Sequence, residues 1–205
     1  MKAAIPSSLL VRDLGPAVGR TLLFTFDDGP DRHITPEVLA RLRTYGVPAV
    51  FFVIGAHVDA APDLVVEASR QGHVIGNHTY SHRAPDPWFG AYIRDVQRCQ
   101  DAVRRCLGTA PRLFRPPKGH LTATSLTVPR LLGLRTMNWS LNVRDWACES
   151  QAEARRAAER LVRDARGGQI VLLHDNRPLL LPLLDFALPR LVEAGFDLSA
   201  TRFQA

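Results

Sequence analysis

Lysine is almost missing from this chain of 205 residues: of its 26 basic residues, all but Lys2 and Lys118 are arginine. The formal net charge is +6, yet no run of basic residues builds the footprint of a nucleic-acid binder, so the arginines read as a solvated surface. Against that background Lys118, set in a proline-rich stretch, stands out. Cysteine is scarce as well. Cys99, Cys106 and Cys148 are too few and too oddly numbered for a disulfide framework, and no CxxC pair suggests a zinc knuckle. Seven residues of helix would part Cys99 and Cys106 by about 10 Å, beyond disulfide reach. They read as packed thiols.

Long apolar runs are absent: those at 49–54 and 170–173 fall far short of the roughly 20 residues of a membrane span. The opening stretch MKAAIPSSLLVRDLGP has no sustained apolar core before Arg12 and Asp13 and does not read as a signal peptide. A cytoplasmic protein is expected, or a secreted one if the N-terminus has been trimmed. No linker, repeat or low-complexity tract divides the chain. With 46% hydrophobic and 22% charged residues, the composition is that of one globular domain over 1–205, not of a disordered or fibrous chain. Residues 1–20 read as an N-terminal extension, with the chemistry within 21–200.

What is present is an alternation of apolar runs and amphipathic stretches. Strands are predicted at 21–26, 49–54, 73–76, 112–115, 134–140, 169–173 and 196–199. Between them the patterns predict helices: one capped by Thr35 with Pro36 behind it, one over 62–71, and a long one carrying Tyr92, Val96, Cys99, Val103 and Cys106 at three- and four-residue steps. Three more follow, over 124–132, from a Ser150–Glu153 capping box to about Arg166, and over 179–194. This order implies an α/β fold, a distorted (β/α) barrel with about seven parallel strands or an open doubly wound sheet. In either, active residues gather at the carboxyl ends of the strands. Asp27, Asp28, His78, His82, Arg115, Asp145 and His174 all fall there.

His78 and His82, in HTYSH, have the i, i+4 spacing that lets two imidazoles address one metal ion from a single helical turn. Histidines four apart are also common on surfaces. Asp27 and Asp28 close the apolar run LLFTF, where adjacent carboxylates need a cation or an arginine beside them. Neighbours at a strand end point in different directions, so one can bind metal while the other handles protons. Asp-Gly-Pro is also ordinary turn chemistry, and the two readings are compatible.

Five motifs in order, TFDDGP at 25–30, HTYSH at 78–82, RPPKG at 115–119, NVRDW at 142–146 and VLLHD at 171–175, resemble those of the polysaccharide deacetylases of carbohydrate esterase family 4. The resemblance implies that Asp28, His78 and His82 hold a divalent metal, zinc being the first choice and cobalt, nickel or iron alternatives. Such a set leaves positions open for water and substrate. It implies Asp27 as general base, His174 as the acid that protonates the leaving amine, Arg115 orienting the base and Asp145 holding the charge network beside it. An oxyanion would be met by the backbone N–H of Lys118, and Trp146 would line the acetyl pocket. Strand alternation puts Leu172 rather than Leu173 on the His174 face. Lys118 stands where family members commonly carry Tyr, and Asn142 where the fourth motif commonly begins with Asp.

The function so implied is metal-dependent removal of the N-acetyl group from an N-acetylglucosamine-type sugar in an oligosaccharide, polysaccharide or glycoconjugate. Alternatives are an O-acetyl esterase or sugar deformylase on the same site, or a non-catalytic glycan-binding protein. The length and the stretch WSLNVRDWAC resemble the rhizobial chitooligosaccharide deacetylases. His33, His57, His73 and His120 read as turn or surface histidines, His120 being close enough to RPPKG to touch a substrate. Trp88, Phe89 and Tyr92 read as helix packing ahead of a sugar-stacking platform.

Overall fold

In the computed structural model, which describes residues 10–15, 18–85 and 89–199, the apolar runs become parallel strands. β1 is Leu10–Val11, β2 Leu23–Asp27, β3 Ala49–Val53, β4 Val74–Asn77, β5 Leu113–Phe114, β6 Arg135–Met137, β7 Leu141–Asn142 and β8 Ile170–His174. They form one sheet in the order β1-β6-β5-β4-β3-β2-β8-β7. From β2 to β6 each strand lies beside its predecessor. A doubly wound sheet would reverse its order partway; one-way progression instead curls the sheet into a half-barrel with helices outside. The barrel is distorted because β1 and β7 are edges that do not pair with each other.

The helices are α1 Thr35–Thr44, α2 Gly55–Ala60, α3 Pro62–Arg70, α4 Phe89–Leu107, α5 Ala123–Leu131, α6 Gln151–Asp164 and α7 Leu180–Glu193. Alternation along the strands separates two apolar layers. Phe24, Phe26, Phe51 and Val53 face the helices, against Leu39, Leu42 and Leu184. Leu23, Val50, Phe52, Leu113, Met137 and Ile170 face inward and plug the barrel. Above that plug, on the same inward face, the register sets Thr25 opposite Leu172 and Asp27 opposite His174. The barrel mouth therefore receives polar ends on an apolar floor.

Several expectations change. The seventh predicted strand, 196–199, reduces to an isolated bridge between Thr21 and Asp197. Instead β7 forms beside β8, and β1 forms inside the predicted N-terminal extension; residues 1–9 of that extension lie outside the described residues. The short helix α2 has no apolar period to announce it. Thr35 is the first residue of α1 rather than its cap, which is Ile34. Ser150 caps α6 by accepting from the Glu153 amide, while the Glu153 carboxylate accepts from the amide of Glu149 rather than that of Ser150.

Candidate active site

Asp27 ends β2 pointing inward, and Asp28 leaves the strand in the left-handed region with φ of 76°. The turn beyond is held from below. The Ile54 amide donates to the Gly29 carbonyl at 2.9 Å, and a Cβ at Gly29 would overlap the buried Asp175 carboxylate. Thr35 donates its hydroxyl to Asp175 Oδ2 at 2.6 Å, and burial pushes the Asp175 carboxyl up to about 7. From α2, His57 Nδ1 donates to the Asp28 carbonyl at 2.8 Å. Far from being a plain surface histidine, His57 fixes the backbone of a candidate metal ligand.

HTYSH is not helical. It is a loop after β4 in which Thr79 and His82 take φ of 65° and 54°. Asn77 Oδ1 accepts from the Thr79 amide at 2.8 Å, and the Thr79 and Tyr80 carbonyls accept from the amides of Gly55 and Ala56. Ser81 donates to Asp95 of α4 at 3.0 Å. This pinned loop, not a helical turn, brings the imidazoles to 5.1 Å between ring centroids. His78 Nδ1 donates to the Arg115 carbonyl at 2.7 Å, which leaves Nε2 as the free lone pair. Burial pushes His78 toward the neutral form, below the ordinary histidine range and against the pull of Asp27 and Asp28.

His78 Nε2 lies 3.6 Å and His82 Nε2 3.3 Å from Asp28 Oδ1. That oxygen is buried without a hydrogen-bond partner. Two ligand atoms bound to one tetrahedral zinc at about 2.1 Å stand roughly 3.4 Å apart. The donor set, one carboxylate and two imidazoles, thus fits a divalent cation both in chemistry and in spacing, and a cation would satisfy the orphaned oxygen.

Two ion pairs flank this centre. Arg115, fully buried, donates from Nη1 to Asp27 Oδ1 at 2.7 Å and to Thr25 at 2.8 Å. It is clamped by the carbonyls of Met137 and Asn138 and lies 4.1 Å from the Phe52 ring centroid. On the other side, Asp145 accepts the His174 amide at 2.8 Å and His174 Nδ1 at 3.0 Å. Asp145 thus serves His174 directly rather than sharing the Arg115 network. Burial works against a charged His174, but the bond and charge of Asp145, with Asp27 and Asp28 beyond, outweigh it and raise its pKa above the ordinary histidine value.

A cavity of about 400 Å³ opens over these groups. Asp27, Asp28, His78, His82, Lys118, Trp146, Leu172 and His174 line it, while Arg115 and Asp145 sit buried behind Asp27 and His174. Leu173 belongs to the outer core instead. Sequence reasoning missed Trp139 and Arg177, and treated Asn142 only as a departure, yet all three line the cavity. Trp139 and Arg177 could have been found by the same strand-end rule, since each lies within three residues of a strand terminus. Asn142 Oδ1 accepts from the Arg144 amide at 2.8 Å, shaping the turn that presents Asp145.

Other candidates take structural posts. His73 is buried, its Nδ1 accepting from the Ala49 amide at 3.1 Å, and burial lowers its pKa to about 4. His120 is exposed and offers its carbonyl to Ser125. Tyr92 packs edge-on against Phe114, Phe89 is exposed, and Trp88 lies outside the described residues. The three cysteines are free. Among the described residues, no helix is long and apolar enough to cross a membrane.

Residues 15–137 match the family model described as polysaccharide deacetylase. The chain is 36% identical over 181 residues to a chitooligosaccharide deacetylase of Bradyrhizobium sp. (strain ANU 289), covering 87% of this chain and 81% of that protein. It is 31% identical over 198 residues to the peptidoglycan-N-acetylglucosamine deacetylase PgdA of Listeria monocytogenes, covering 96% of this chain but 41% of that longer protein. The crystal structure of the Bc1960 peptidoglycan N-acetylglucosamine deacetylase superposes with a TM-score of 0.83 at 27% identity, over 93% of this chain and 89% of that one. A family 4 carbohydrate esterase from Streptomyces lividans, solved with acetate, gives a TM-score of 0.78 at 29% identity, over 86% and 90% of the two chains.

Proposed function

The chain belongs to the polysaccharide deacetylase family, and from that premise we propose that it is a metal-dependent hydrolase removing the N-acetyl group from an N-acetylglucosamine-type sugar of an oligosaccharide, polysaccharide or glycoconjugate. The observation that carries this reading is the orphaned Asp28 Oδ1 facing two imidazole Nε2 atoms, with a buried carboxylate and a histidine–carboxylate pair on the same cavity. Asp28, His78 and His82 hold the cation, and zinc is the choice we favour for this donor set. When bound, the cation supplies a Lewis acid that polarises the acetyl carbonyl and makes a water acidic.

The chain's own residues do the rest. Arg115 occupies Asp27 Oδ1, so Oδ2 is the oxygen left to take the proton of the attacking water. As the water oxygen bonds to the acetamide carbon, the Lys118 backbone N–H meets the developing oxyanion. His174, tied through Nδ1 to Asp145, presents Nε2 to the cavity and protonates the amine as the C–N bond breaks. Acetate and a free amino sugar leave. Leu172 and Trp146 enclose the acetyl methyl group.

The test is acetate release from short chitooligosaccharides by purified protein, before and after chelation and with zinc added back, alongside O-acetyl and N-formyl substrates. Activity on the N-acetyl substrate that chelation abolishes and zinc restores supports the proposal. Release only from O-acetyl or N-formyl substrates would replace it with an esterase or deformylase, and glycan binding without metal would replace it with a binding protein.

A further inference from the structure

Along the chain the arginines look scattered, but the fold gathers them. Every helix except the short α2 runs from the carboxyl ends of the strands back to their amino ends, and every one carries arginine in its last turn: Arg43, Arg70, Arg105, Arg130, Arg163 and Arg190 on α1, α3, α4, α5, α6 and α7. The pole of the half-barrel far from the cavity is therefore basic. A cation at a helix C-terminus answers the macrodipole, and that would account for these arginines if they stood alone. Two further observations go beyond it. From 102 to 144 the chain has no acidic residue, so the corner where α5 ends and β5 and β6 begin has no acid of its own. Arg112 and Arg135 are exposed side by side there, the Arg135 amide donating to the Arg112 carbonyl at 2.8 Å, at strand ends that have little dipole to answer. The same pole also exposes apolar side chains. Among the described residues, Trp146 and Phe89 are exposed toward the cavity end, whereas Leu131, Val192 and Tyr45, with exposures of 68%, 48% and 38%, close α5, α7 and α1. Each stands within two residues of an arginine in the same helix end.

Cations interleaved with exposed aliphatic and aromatic side chains match the surface of an anionic bilayer, whose headgroups take the charge and whose interface takes the apolar groups. Leucine and valine offer a nucleic-acid backbone nothing, so lipid is the partner this mixture favours. We infer that the pole centred on Arg112, Arg130, Leu131 and Arg135 docks the protein peripherally on membranes containing anionic phospholipid, with the cavity at the opposite ends of the strands turned away from the bilayer. This surface stands independently of the deacetylase reading. Each arginine near an anionic surface contributes roughly fivefold to partitioning, an effect screened by salt, and a leucine partly entering the interface contributes about tenfold.

The experiment sediments the full chain with sucrose-loaded vesicles, either phosphatidylcholine alone or phosphatidylcholine mixed with phosphatidylglycerol. Expected is binding to the mixed vesicles in about 0.1 M salt that is lost in about 0.5 M salt, and at least roughly tenfold weaker binding to phosphatidylcholine alone. Arg130→Gln with Arg135→Gln should weaken binding to mixed vesicles by about 25-fold, and Leu131→Ser by about tenfold. Arg94→Gln with Arg177→Gln removes the same charge from exposed positions near the start of α4 and ahead of α7, at the cavity end, and should leave binding within about twofold of the wild type. All the replaced side chains are exposed, so each variant should keep the Tm of the wild type, which separates lost docking from lost folding. No preference for the mixed vesicles, equal weakening by the two double variants, or binding that Leu131→Ser leaves untouched overturns the inference. Binding to a short DNA duplex but not to the mixed vesicles also overturns it and makes the pole a nucleic-acid surface.

Discussion

At Asp28 one backbone angle decides where the carboxylate of a proposed metal ligand points. With φ of 76° it occupies the left-handed region, which Asp tolerates better than most residues, and His57 holds the carbonyl that this conformation exposes. Groups that orient a ligand are worth about 10- to 100-fold in metal affinity. His57→Ala should therefore weaken zinc binding by about that factor, measured by competition with a chromophoric chelator, while His57→Gln, which can still donate, should recover part of it. Unchanged affinity in His57→Ala would show that the turn holds itself. A second prediction concerns His174. Its pKa is raised because Asp145 outweighs burial, so the protonated imidazole persists above the ordinary histidine range and is lost as pH rises through that higher value. Asp145→Asn removes both the charge and the anionic acceptor. The alkaline limb of the kcat profile should move to lower pH; a limb that stays put would mean that His174 is not the group reporting there.

Between residues and the whole sheet, the elements show why some of the site was legible and some was not. Apolar runs at β2, β3, β4 and β8, and the strand-end rule, were readable because burial on both faces of a parallel strand demands continuous apolar sequence. The one-residue turns that aim the proposed ligands were not: the i, i+4 spacing of His78 and His82 points to a helix, and only hydrogen bonds donated by the amides of Gly55 and Ala56 and accepted by Asp95, all distant in sequence, make it a loop. Strands of two residues such as β1 and β7 leave no period to detect. Thr35 looked like a cap and instead serves the buried Asp175. That carboxyl, ordinarily near 3.8 and raised to about 7 in the fold, carries a prediction. Between about pH 4 and pH 7 the folded chain keeps a proton the unfolded chain has released, so stability is full below that window and falls as pH rises through it, by at most about 4 kcal/mol. Asp175→Asn cannot ionise. In urea unfolding with chelator present, its stability relative to wild type should improve from pH 4 to pH 8; a constant difference would show that Asp175 keeps its charge.

For the molecule as a whole, the site is where the half-barrel is least self-sufficient. The apolar plug, which includes Phe52 and Ile170, gives way at the carboxyl ends of the strands to carboxylates and imidazoles whose mutual placement depends on loops following β2 and β4, two strands kept apart by β3. Without a cation, Asp28 Oδ1 is a buried acceptor with nothing to accept from, a state that costs roughly 1–3 kcal/mol. A cation that binds only the folded chain joins the two loops and adds stability by mass action. At a hundredfold excess over its Kd, zinc should stabilise the protein by about 2.7 kcal/mol. For a chain of this size that is roughly 5–10 °C in Tm. The increment should vanish on chelation and return with zinc. In His82→Ala it should shrink, while the Tm measured with chelator stays near that of the wild type, because His82 is a loop residue outside the apolar core. A His82→Ala protein that zinc stabilises as strongly as the wild type would remove His82 from the ligand set, and with it the physical reason for the left-handed turn that carries it.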